Sequence, residues 1–457
     1  MEAKRAPLRL RAPIVIPCDN TCTVLRDAVV DIGADGRIKN VSTADDAPAW
    51  TGGVRTMSGI LLPGLVNAHA HSSMSVLRGR GGDLPLISWL QEAMWPAEAL
   101  MTAADIRAGS LLSSIEMLRN GVTTTSEMYF HVDQQAEAVL QAGGRAVLAE
   151  AVLDLPGQEP WRAVVDRISS RIDATGLRLG PDERIEFAYG PHSAYVLPPE
   201  ALRTVGEHAR TRGALVHIHL AETELEDQAQ RALFGSVPAL LESVGLLESR
   251  LLVAHAVHLS DADIGLLTGA GVAVAHCPSS NAKLGSGVMR LSALRAAGVP
   301  VGLGTDGPAS NDRLDLLGEA RTAALLARVT SQDPTAVTAA DALLLATRGG
   351  AAALGRDDIG ALEAGRWADL VHIGVDDPAF ATGLDVPDEE LVANLVWAAG
   401  SRTVTDVWVA GEVVVAGSES VRVDRRQAQA DVTAAASRLR VPAPSSATSC
   451  RCCTRSR

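Results

Sequence analysis

The spacing of apolar and polar residues differs between the two ends of this chain and its middle. Near both ends, short apolar runs alternate with turn residues, a pattern typical of β-strands. The N-terminal runs are IVIP, VLRDAVVDIG and GRIKNV, and the C-terminal runs are ADLVHIGV and VTDVWVAGEVVVAG, with a hairpin turn predicted at Ala410-Gly411. We expect the two ends, residues 1–60 and 358–440, to pair into one small β-sandwich.

The middle of the chain alternates single apolar strands with amphipathic helical stretches such as DIRAGSLLSSIEMLRN. Eight βα units in a row predict a closed parallel (β/α)8 barrel of the TIM type, over residues 61–357. An open doubly wound sheet is the alternative, but no glycine-rich phosphate-binding motif follows a first strand. The strand candidates are LLPGLVNAH, GVTTTSEMY, GRAVLAEAV, RIEFAYGPH, ALVHIHLAE, LLVAHAVHL, GVAVAHCP and PVGLGTDG.

Histidines and acidic residues gather where these strands end. In such a barrel the C-terminal strand ends surround one mouth, where active sites lie. The first strand ends in His69-Ala-His71, and side chains two residues apart on a strand point the same way. His219 on the fifth strand and Asp306 on the eighth can reach the same metal ion from across the barrel. Three imidazoles and one carboxylate suit Zn²⁺ or Fe²⁺ rather than Mg²⁺ or Ca²⁺.

The other histidines differ in what their positions suggest. His217 shares a strand face with His219 but lies deeper, and we prefer His219 as the ligand because it is nearer the mouth and close to Glu222. We include His255, on the sixth strand, among the site residues. We expect His276 to lie behind the site residues and to pack against them. We assign no role at the site to four others: His131, His208, His258 and His372.

Taken together, these motifs resemble the amidohydrolase superfamily. They are most similar to its branch of S-adenosylhomocysteine/5'-methylthioadenosine deaminases and triazine hydrolases. The resemblance runs from about Leu61 to Leu370. The stretches that carry it are PGLVNAHAH, ISWLQEAMWPAE, GPHSAY, HIHLAETE, LLVAHAVHL, HCPSSNAKLGSG, GLGTDGPASN and LEAGRWADL.

The resemblance implies a role for each residue at the mouth. Glu222 would carry a proton from the attacking water to the substrate ring, and His255 would orient or deprotonate that water, with Asp306 accepting a proton. A carboxylate beside the attacking water suits general acid/base work. The implied metal ligands are His69, His71, His219 and Asp306, and the implied substrate contacts are Glu98, Arg145, His192 and Glu222.

Lysine bears on the number of metal ions. The chain has only Lys4, Lys39 and Lys283. Binuclear members of the superfamily bridge two metals with a carboxylated lysine from the middle of the barrel, and this chain has none there. The resemblance therefore implies one metal per chain, Zn²⁺ or alternatively Fe²⁺.

Two departures from the family pattern bear on the substrate. Members that take the amino-acid-bearing nucleoside are expected to hold its carboxylate with a further arginine, but none follows Arg145 until Arg162, which the sequence does not place. Glu127 stands where the family's second strand would carry aspartate. Both departures leave the exact substrate open among adenine nucleosides, and the missing arginine makes us favour 5'-deoxyadenosine or 5'-methylthioadenosine over S-adenosylhomocysteine.

The sequence thus predicts a metal-dependent hydrolytic deaminase of an amino-substituted heteroaromatic ring. The substrate that we favour is an adenine nucleoside, whose deamination would give the inosine-type product and ammonia. One alternative is a triazine-type amino- or chlorohydrolase, and another is a deaminase of guanine-, pterin- or cytosine-like rings. A non-catalytic barrel scaffold is a further alternative, against which the intact ligand set and Glu222 count.

Composition narrows the partners and the location. Acidic residues outnumber basic ones by 54 to 41, for a formal net charge of −13, which opposes binding to a nucleic-acid backbone. We expect no signal peptide, because the basic N-terminal stretch lacks a continuous apolar run, and no apolar stretch reaches membrane-spanning length. We expect a cytoplasmic homo-oligomer with a small-molecule substrate. The six cysteines are not spaced as a zinc site or disulfide framework, and we expect the polar tail at 441–457 to be disordered.

Overall fold

The computed structural model describes residues 5–440, so the predicted disordered tail lies outside the described residues. Strands at the N-terminal end come first, and most of them bury apolar side chains on one face. Their bounds are β1 (Leu8–Val15), β2 (Leu25–Ile32), β3 (Ile38–Thr43), β4 (Gly53–Thr56) and β5 (Ile60–Pro63).

The middle of the chain forms the predicted parallel barrel. Its central strands are buried at every position, because helices cover the outside and side chains fill the inside. The seam between the first and last strands is bridged by the Asp306 backbone N–H, which donates to the His69 carbonyl at 3.0 Å. The strands are β6 (Leu65–Ala70), β7 (Val122–Tyr129), β8 (Arg145–Val152), the short β9 (Arg178–Leu179) beside the barrel, β10 (Ile185–Pro191), β11 (Val216–Leu220), β12 (Leu251–His255), β13 (Ala273–His276) and β14 (Val301–Leu303).

The C-terminal strands return to the N-terminal ones, which confirms that the two chain ends pair. All strands of this β domain join a single nine-stranded sheet in the order β18-β17-β16-β15-β5-β1-β2-β3, with β4 added beside β1. The predicted hairpin turn is present, with positive φ of 49° at Ala410 and 75° at Gly411. The remaining strands are β15 (Leu370–Ile373), β16 (Val404–Val409), β17 (Glu412–Ala416) and β18 (Glu419–Ser420).

One strand candidate contributes to both sheets. The run LLPGLVNAH is interrupted at Gly64, so that β5 belongs to the end sheet and β6 opens the barrel. A β-carbon at Gly64 would lie only 2.0 Å from the Thr123 hydroxyl oxygen, so only glycine fits this close approach. The chain therefore passes directly from one sheet into the other just before the His69-Ala-His71 motif.

Helices follow the barrel strands, and several begin at a capping residue. Thr102 accepts the Asp105 backbone N–H while Asp105 accepts the Thr102 N–H, and Ser260 with Asp263 repeats this capping box. The main barrel helices are Ala103–Arg119, Val132–Ala142, Trp161–Thr175, Pro199–Arg212, Glu224–Phe234, Val237–Ser243, Asp261–Gly269, Pro278–Lys283, Leu291–Ala296 and Leu316–Ser331. Shorter helical segments are Leu86–Ser88, Trp89–Met94, Trp95–Glu98, Ala339–Leu344, Leu345–Gly349 and Gly350–Ala353, and Asp388–Ala393, Asn394–Ala399 and Arg425–Arg438 follow the barrel. Short segments of 3₁₀ helix lie at Ser72–Leu77, Pro181–Glu183, Leu246–Glu248, Pro378–Phe380 and Ser401–Thr403.

Candidate metal centre and active site

Four predicted ligands converge at the mouth of the barrel. The Nε2 atoms of His69 and His71 lie 3.4 Å and 3.3 Å from Oδ1 of Asp306. The Nε2 atom of His71 lies 3.2 Å from Nε2 of His219. One ligand atom each from His69, His71 and Asp306 lies within 4.8 Å of the others, as it does in the group of His69, His219 and His255.

The ring nitrogens that face away from this centre have their own partners. Nδ1 of His71 lies 2.5 Å from the Met128 carbonyl oxygen, and Nδ1 of His219 lies 2.9 Å from the His192 carbonyl oxygen. A carbonyl only accepts, so both Nδ1 atoms carry a proton, and the neutral form of each ring presents a lone pair at Nε2. Two lone pairs facing each other at 3.2 Å repel unless a cation lies between them.

His69 fits the same arrangement. Its Nδ1 lies 2.8 Å from Nε2 of His217, whose own Nδ1 lies 3.2 Å from the Ser126 hydroxyl. Its Nε2 is buried and has no hydrogen-bond partner among residues 5–440, and burial lowers the pKa of His69 to about 3. A neutral imidazole with an unsatisfied, inward-facing nitrogen fits a metal ion, and His217 acts as the support that orients it.

Asp306 is held by several donors. The Ser280 and Ser310 hydroxyls donate to Oδ2 at 2.5 Å and 2.8 Å, and the Gly307 N–H donates to Oδ1 at 2.7 Å. Burial alone would raise the pKa of this carboxyl, but the close approach of His69, with Nε2 3.4 Å from Oδ1, and the neighbouring imidazoles bring it well below its usual value. The residue has φ of 61°, an unusual left-handed conformation that is typical of functional sites.

Glu222 lies beside this group. Its Oε2 is 3.8 Å from Nε2 of His255, whose Nδ1 lies 2.9 Å from the Asn281 side-chain oxygen. Burial, followed by the charge of Asp306, raises the pKa of Glu222 well above its usual value. The Glu222 backbone N–H donates to Glu226 at 2.9 Å. A carboxyl whose pKa is displaced in this direction can both take and give a proton near neutral pH.

A cavity of about 890 Å³ opens over these residues, a size that suits a small organic ligand. Glu98 contributes a carboxylate to its wall and accepts the Tyr129 hydroxyl at 2.6 Å. Burial raises the pKa of Glu98 and lowers that of His192 to about 3. The predicted residues that line the cavity are His71, Glu98, His192, His219, Glu222, His255 and Asp306.

Arg145 is a correction, because it does not reach this cavity. It is the first residue of β8 and therefore lies at the end of the barrel opposite the mouth. Its guanidinium is fully buried, pairs with Asp369 at 3.1 Å and donates to the Asp182 carbonyl at 2.8 Å. The predicted substrate contact at Arg145 is wrong, since a side chain at the start of a barrel strand cannot face the same opening as those at strand ends.

Glu127 lies behind the ligands. It accepts the Ser72 backbone N–H at 2.8 Å and the Thr125 hydroxyl at 3.0 Å. It therefore fixes the turn that directly follows His71. Glu127, at the position where the family's second strand would carry aspartate, therefore supports the strand that bears the ligands and does not line the cavity.

The remaining histidines divide as follows. His276 is buried near His255. His208 bonds to Ser169, and His258 bonds to the Ser286 carbonyl. His372 lies in the end sheet, but His131 lines the cavity, although the sequence suggested no role for it.

Two cavity-lining arginines were missed by the sequence reasoning. Arg167 and Arg171 project from the helix Trp161–Thr175 to the cavity wall, where both pair with Glu150. Their spacing of four residues, which places both on one helix face, is the signal that could have found them. Arg162, which the sequence did not place, is 56% exposed and pairs with Glu200.

Comparisons with known proteins agree with this architecture. The model of the amidohydrolase family matches residues 60–414. A protein of Pelotomaculum thermopropionicum named 5-methylthioadenosine/S-adenosylhomocysteine deaminase is 37% identical over 438 residues, which cover 95% of this chain and 99% of that one.

Solved structures of other enzymes share the same fold. An adenosine deaminase from Xanthomonas campestris with bound zinc superposes with a TM-score of 0.87 at 36% identity, covering 95% of this chain and 98% of that one. The atrazine chlorohydrolase of Arthrobacter aurescens, complexed with zinc, superposes with a TM-score of 0.83 at 28% identity, covering 94% and 100%.

These matches confirm the (β/α)8 fold and the resemblance that the motifs carry. Within residues 5–440, no helix combines the length and the apolarity needed to cross a membrane. The chain belongs to the amidohydrolase family, whose fold, histidine-rich centre and hydrolytic chemistry on C–N bonds it shares.

Proposed function

We propose that this chain is a metal-dependent hydrolytic deaminase of adenine nucleosides that yields the inosine-type product and ammonia. The observation that carries the proposal is the position of Glu222, a buried acid between the histidine centre and a cavity of nucleoside size. The names of the relatives from Pelotomaculum thermopropionicum and Xanthomonas campestris point to the same substrate class.

His69, His71, His219 and Asp306 would hold one metal ion per chain, zinc by the chemistry of the donors and alternatively Fe²⁺. The absence of any lysine between Lys39 and Lys283 supports a single ion. When bound, such an ion lowers the pKa of a water molecule towards ~7.

The protein groups then govern the proton transfers. Glu222 would take a proton from the attacking water and deliver it to N1 of the adenine ring, while water adds at C6. His255, 3.8 Å from Glu222, would orient the water, and Asp306 would accept its second proton. Asp306 would pass this second proton to the amino group, which leaves as ammonia when the C6–N bond breaks. A positioned general acid/base contributes typically ~10²–10⁴-fold to such a step.

Glu98 and His192 would recognise the nucleoside. The Tyr129 hydroxyl donates to Oε1 of Glu98, which leaves Oε2 for the ribose hydroxyls, since a carboxylate accepts and a hydroxyl donates. His192 lies above His219, with ring centroids 4.6 Å apart, and would contact the base. These groups favour a nucleoside over a bare ring such as a triazine.

The test is an ammonia-release assay over adenine, adenosine, 5'-deoxyadenosine, 5'-methylthioadenosine and S-adenosylhomocysteine, with a triazine, guanine and a pterin in parallel. We expect turnover of the adenine nucleosides and little of free adenine. Activity on a triazine, guanine or pterin without turnover of any adenine compound would overturn the substrate. A cytoplasmic homo-oligomer stays a prediction from the sequence.

A further inference from the structure

One part of the cavity wall carries a closed network of charges that the proposed chemistry does not use. Arg167 and Arg171 project from one helix between three carboxylates, those of Asp133, Glu150 and Glu159. All five residues line the cavity. Glu150, at the mouth end of β8, is 5% exposed and is the only one of the three acids that is buried.

Each guanidinium is hydrogen-bonded to two carboxylates. Arg167 donates from Nε and Nη2 to one oxygen of Glu150 at 3.0 Å and 2.8 Å, and from Nη1 to Glu159 at 2.6 Å. Arg171 donates from Nη1 to the other Glu150 oxygen at 2.7 Å, and from Nε and Nη2 to Asp133 at 3.2 Å and 2.8 Å. Every guanidinium nitrogen of Arg167 and Arg171 therefore already has a carboxylate partner.

The charge of this wall is negative despite its two arginines. Three carboxylates against two guanidiniums leave a net charge of −1 among these residues. An incoming anion would compete with these carboxylates for the guanidiniums and would add a negative charge beside three others, and like charges brought together oppose binding. An uncharged or cationic group meets no such opposition.

We infer that Glu150 is a specificity-determining residue, which makes this end of the cavity accept uncharged or cationic 5' substituents and discriminate against anionic ones. The inference rests on the proposed function, with the base at Glu222 and the ribose at Glu98, and places the 5' substituent along this wall of the same cavity. Glu150 has this effect because it occupies both arginines at once. Without it, both would present free N–H groups to the cavity.

The experiment uses three adenine nucleosides with 5'-thioether chains of equal length that end in a methyl, an amino or a carboxylate group. For the wild-type enzyme we expect kcat/KM for the carboxylate compound to be at least about tenfold below that for the methyl compound, and for the amino compound to equal or exceed it. If the wild type prefers the carboxylate compound, the arginines bind anions and the inference is overturned. If it deaminates none of the three, and no other adenine nucleoside, the proposed function itself fails.

Variants assign the effect to Glu150. In Glu150→Gln, the ratio of carboxylate to methyl substrate should rise at least about tenfold, because one negative charge is removed and two guanidiniums are released. Glu200→Gln is the matched control, since Glu200 also pairs with an arginine of this helix but lies outside the cavity; its ratio should equal that of the wild type. Glu159→Gln, at a half-exposed acid of the same wall, should raise the ratio in the same direction and serves if Glu150→Gln does not fold. An unchanged ratio in both wall variants would overturn the inference.

Discussion

Replacement of Arg145 by methionine separates a structural role from a role in substrate binding. The Arg145 and Asp369 side chains are 0% and 2% exposed, and two guanidinium nitrogens lie 3.1 Å and 3.3 Å from the carboxylate oxygens. Methionine keeps much of the side-chain volume but leaves Asp369 buried without its cation. Removing one partner of a buried ion pair costs about 3–5 kcal/mol.

The surroundings of Asp369 put the expected loss of unfolding free energy in Arg145→Met at the lower end of this range. The Ala410 backbone N–H also donates to Asp369, at 2.7 Å, so the carboxylate keeps one hydrogen bond. The carbonyl of Asp182 loses its donor from Arg145. We therefore expect about 3 kcal/mol of lost unfolding free energy, which with a urea m-value of about 3 kcal/mol/M lowers the unfolding midpoint by about 1 M.

The assay combines urea unfolding with steady-state kinetics of the folded variant. Because Arg145 lies at the barrel end opposite the cavity, KM and kcat per folded, metal-loaded enzyme should match the wild type. The double variant Arg145→Met/Asp369→Asn should recover part of the lost stability, since it removes the unpaired charge. A variant with wild-type stability and a KM raised tenfold or more would refute this reasoning and restore Arg145 as a substrate contact.

Three further predictions concern the proposed site. His69→Ala should lose metal and activity together, and elemental analysis of the wild type should find one tightly bound ion per chain; two ions would contradict the single-metal proposal. Glu222→Gln should keep its metal but lose at least ~10²-fold in kcat, and a variant with near-normal turnover would exclude Glu222 as the proton carrier. Glu98→Ala should lose selectivity for adenosine over free adenine in kcat/KM, whereas unchanged selectivity would place the ribose elsewhere.

The barrel and the positions of its mouth residues could be predicted because each rests on a local pattern. The alternation of apolar strands and amphipathic helices fixes the order of the elements, and the direction of parallel strands then brings their C-terminal ends together. His69 and His71 are two residues apart on one such end, and Asp306 follows the last strand. The convergence of these side chains therefore follows from topology.

Other features depend on packing between distant segments. Arg145 and Glu150 belong to the same strand, yet Arg145 lies at the bottom of the barrel and Glu150 lines the cavity. To tell the two apart from the sequence, one must know where the strand begins, and element boundaries are the least reliable part of such a prediction. Arg167 and Arg171 reach the cavity from a helix, and no strand-end rule finds them. Their pairing with Glu150 is a contact across 17 and 21 residues.

The different roles proposed for the carboxyl groups at the mouth follow from their surroundings, because residue type does not distinguish them. Asp306 has imidazoles and three hydrogen-bond donors around it, and its pKa is held low, which suits a carboxylate that binds a metal ion. Glu222 is buried with the charge of Asp306 nearby, and its pKa is raised, which suits a group that exchanges protons. Environments that displace two neighbouring carboxyls in opposite directions are how a site obtains both functions at one pH. The same burial lowers the pKa of His69, so the cluster can offer a neutral nitrogen ligand beside a carboxyl that exchanges protons.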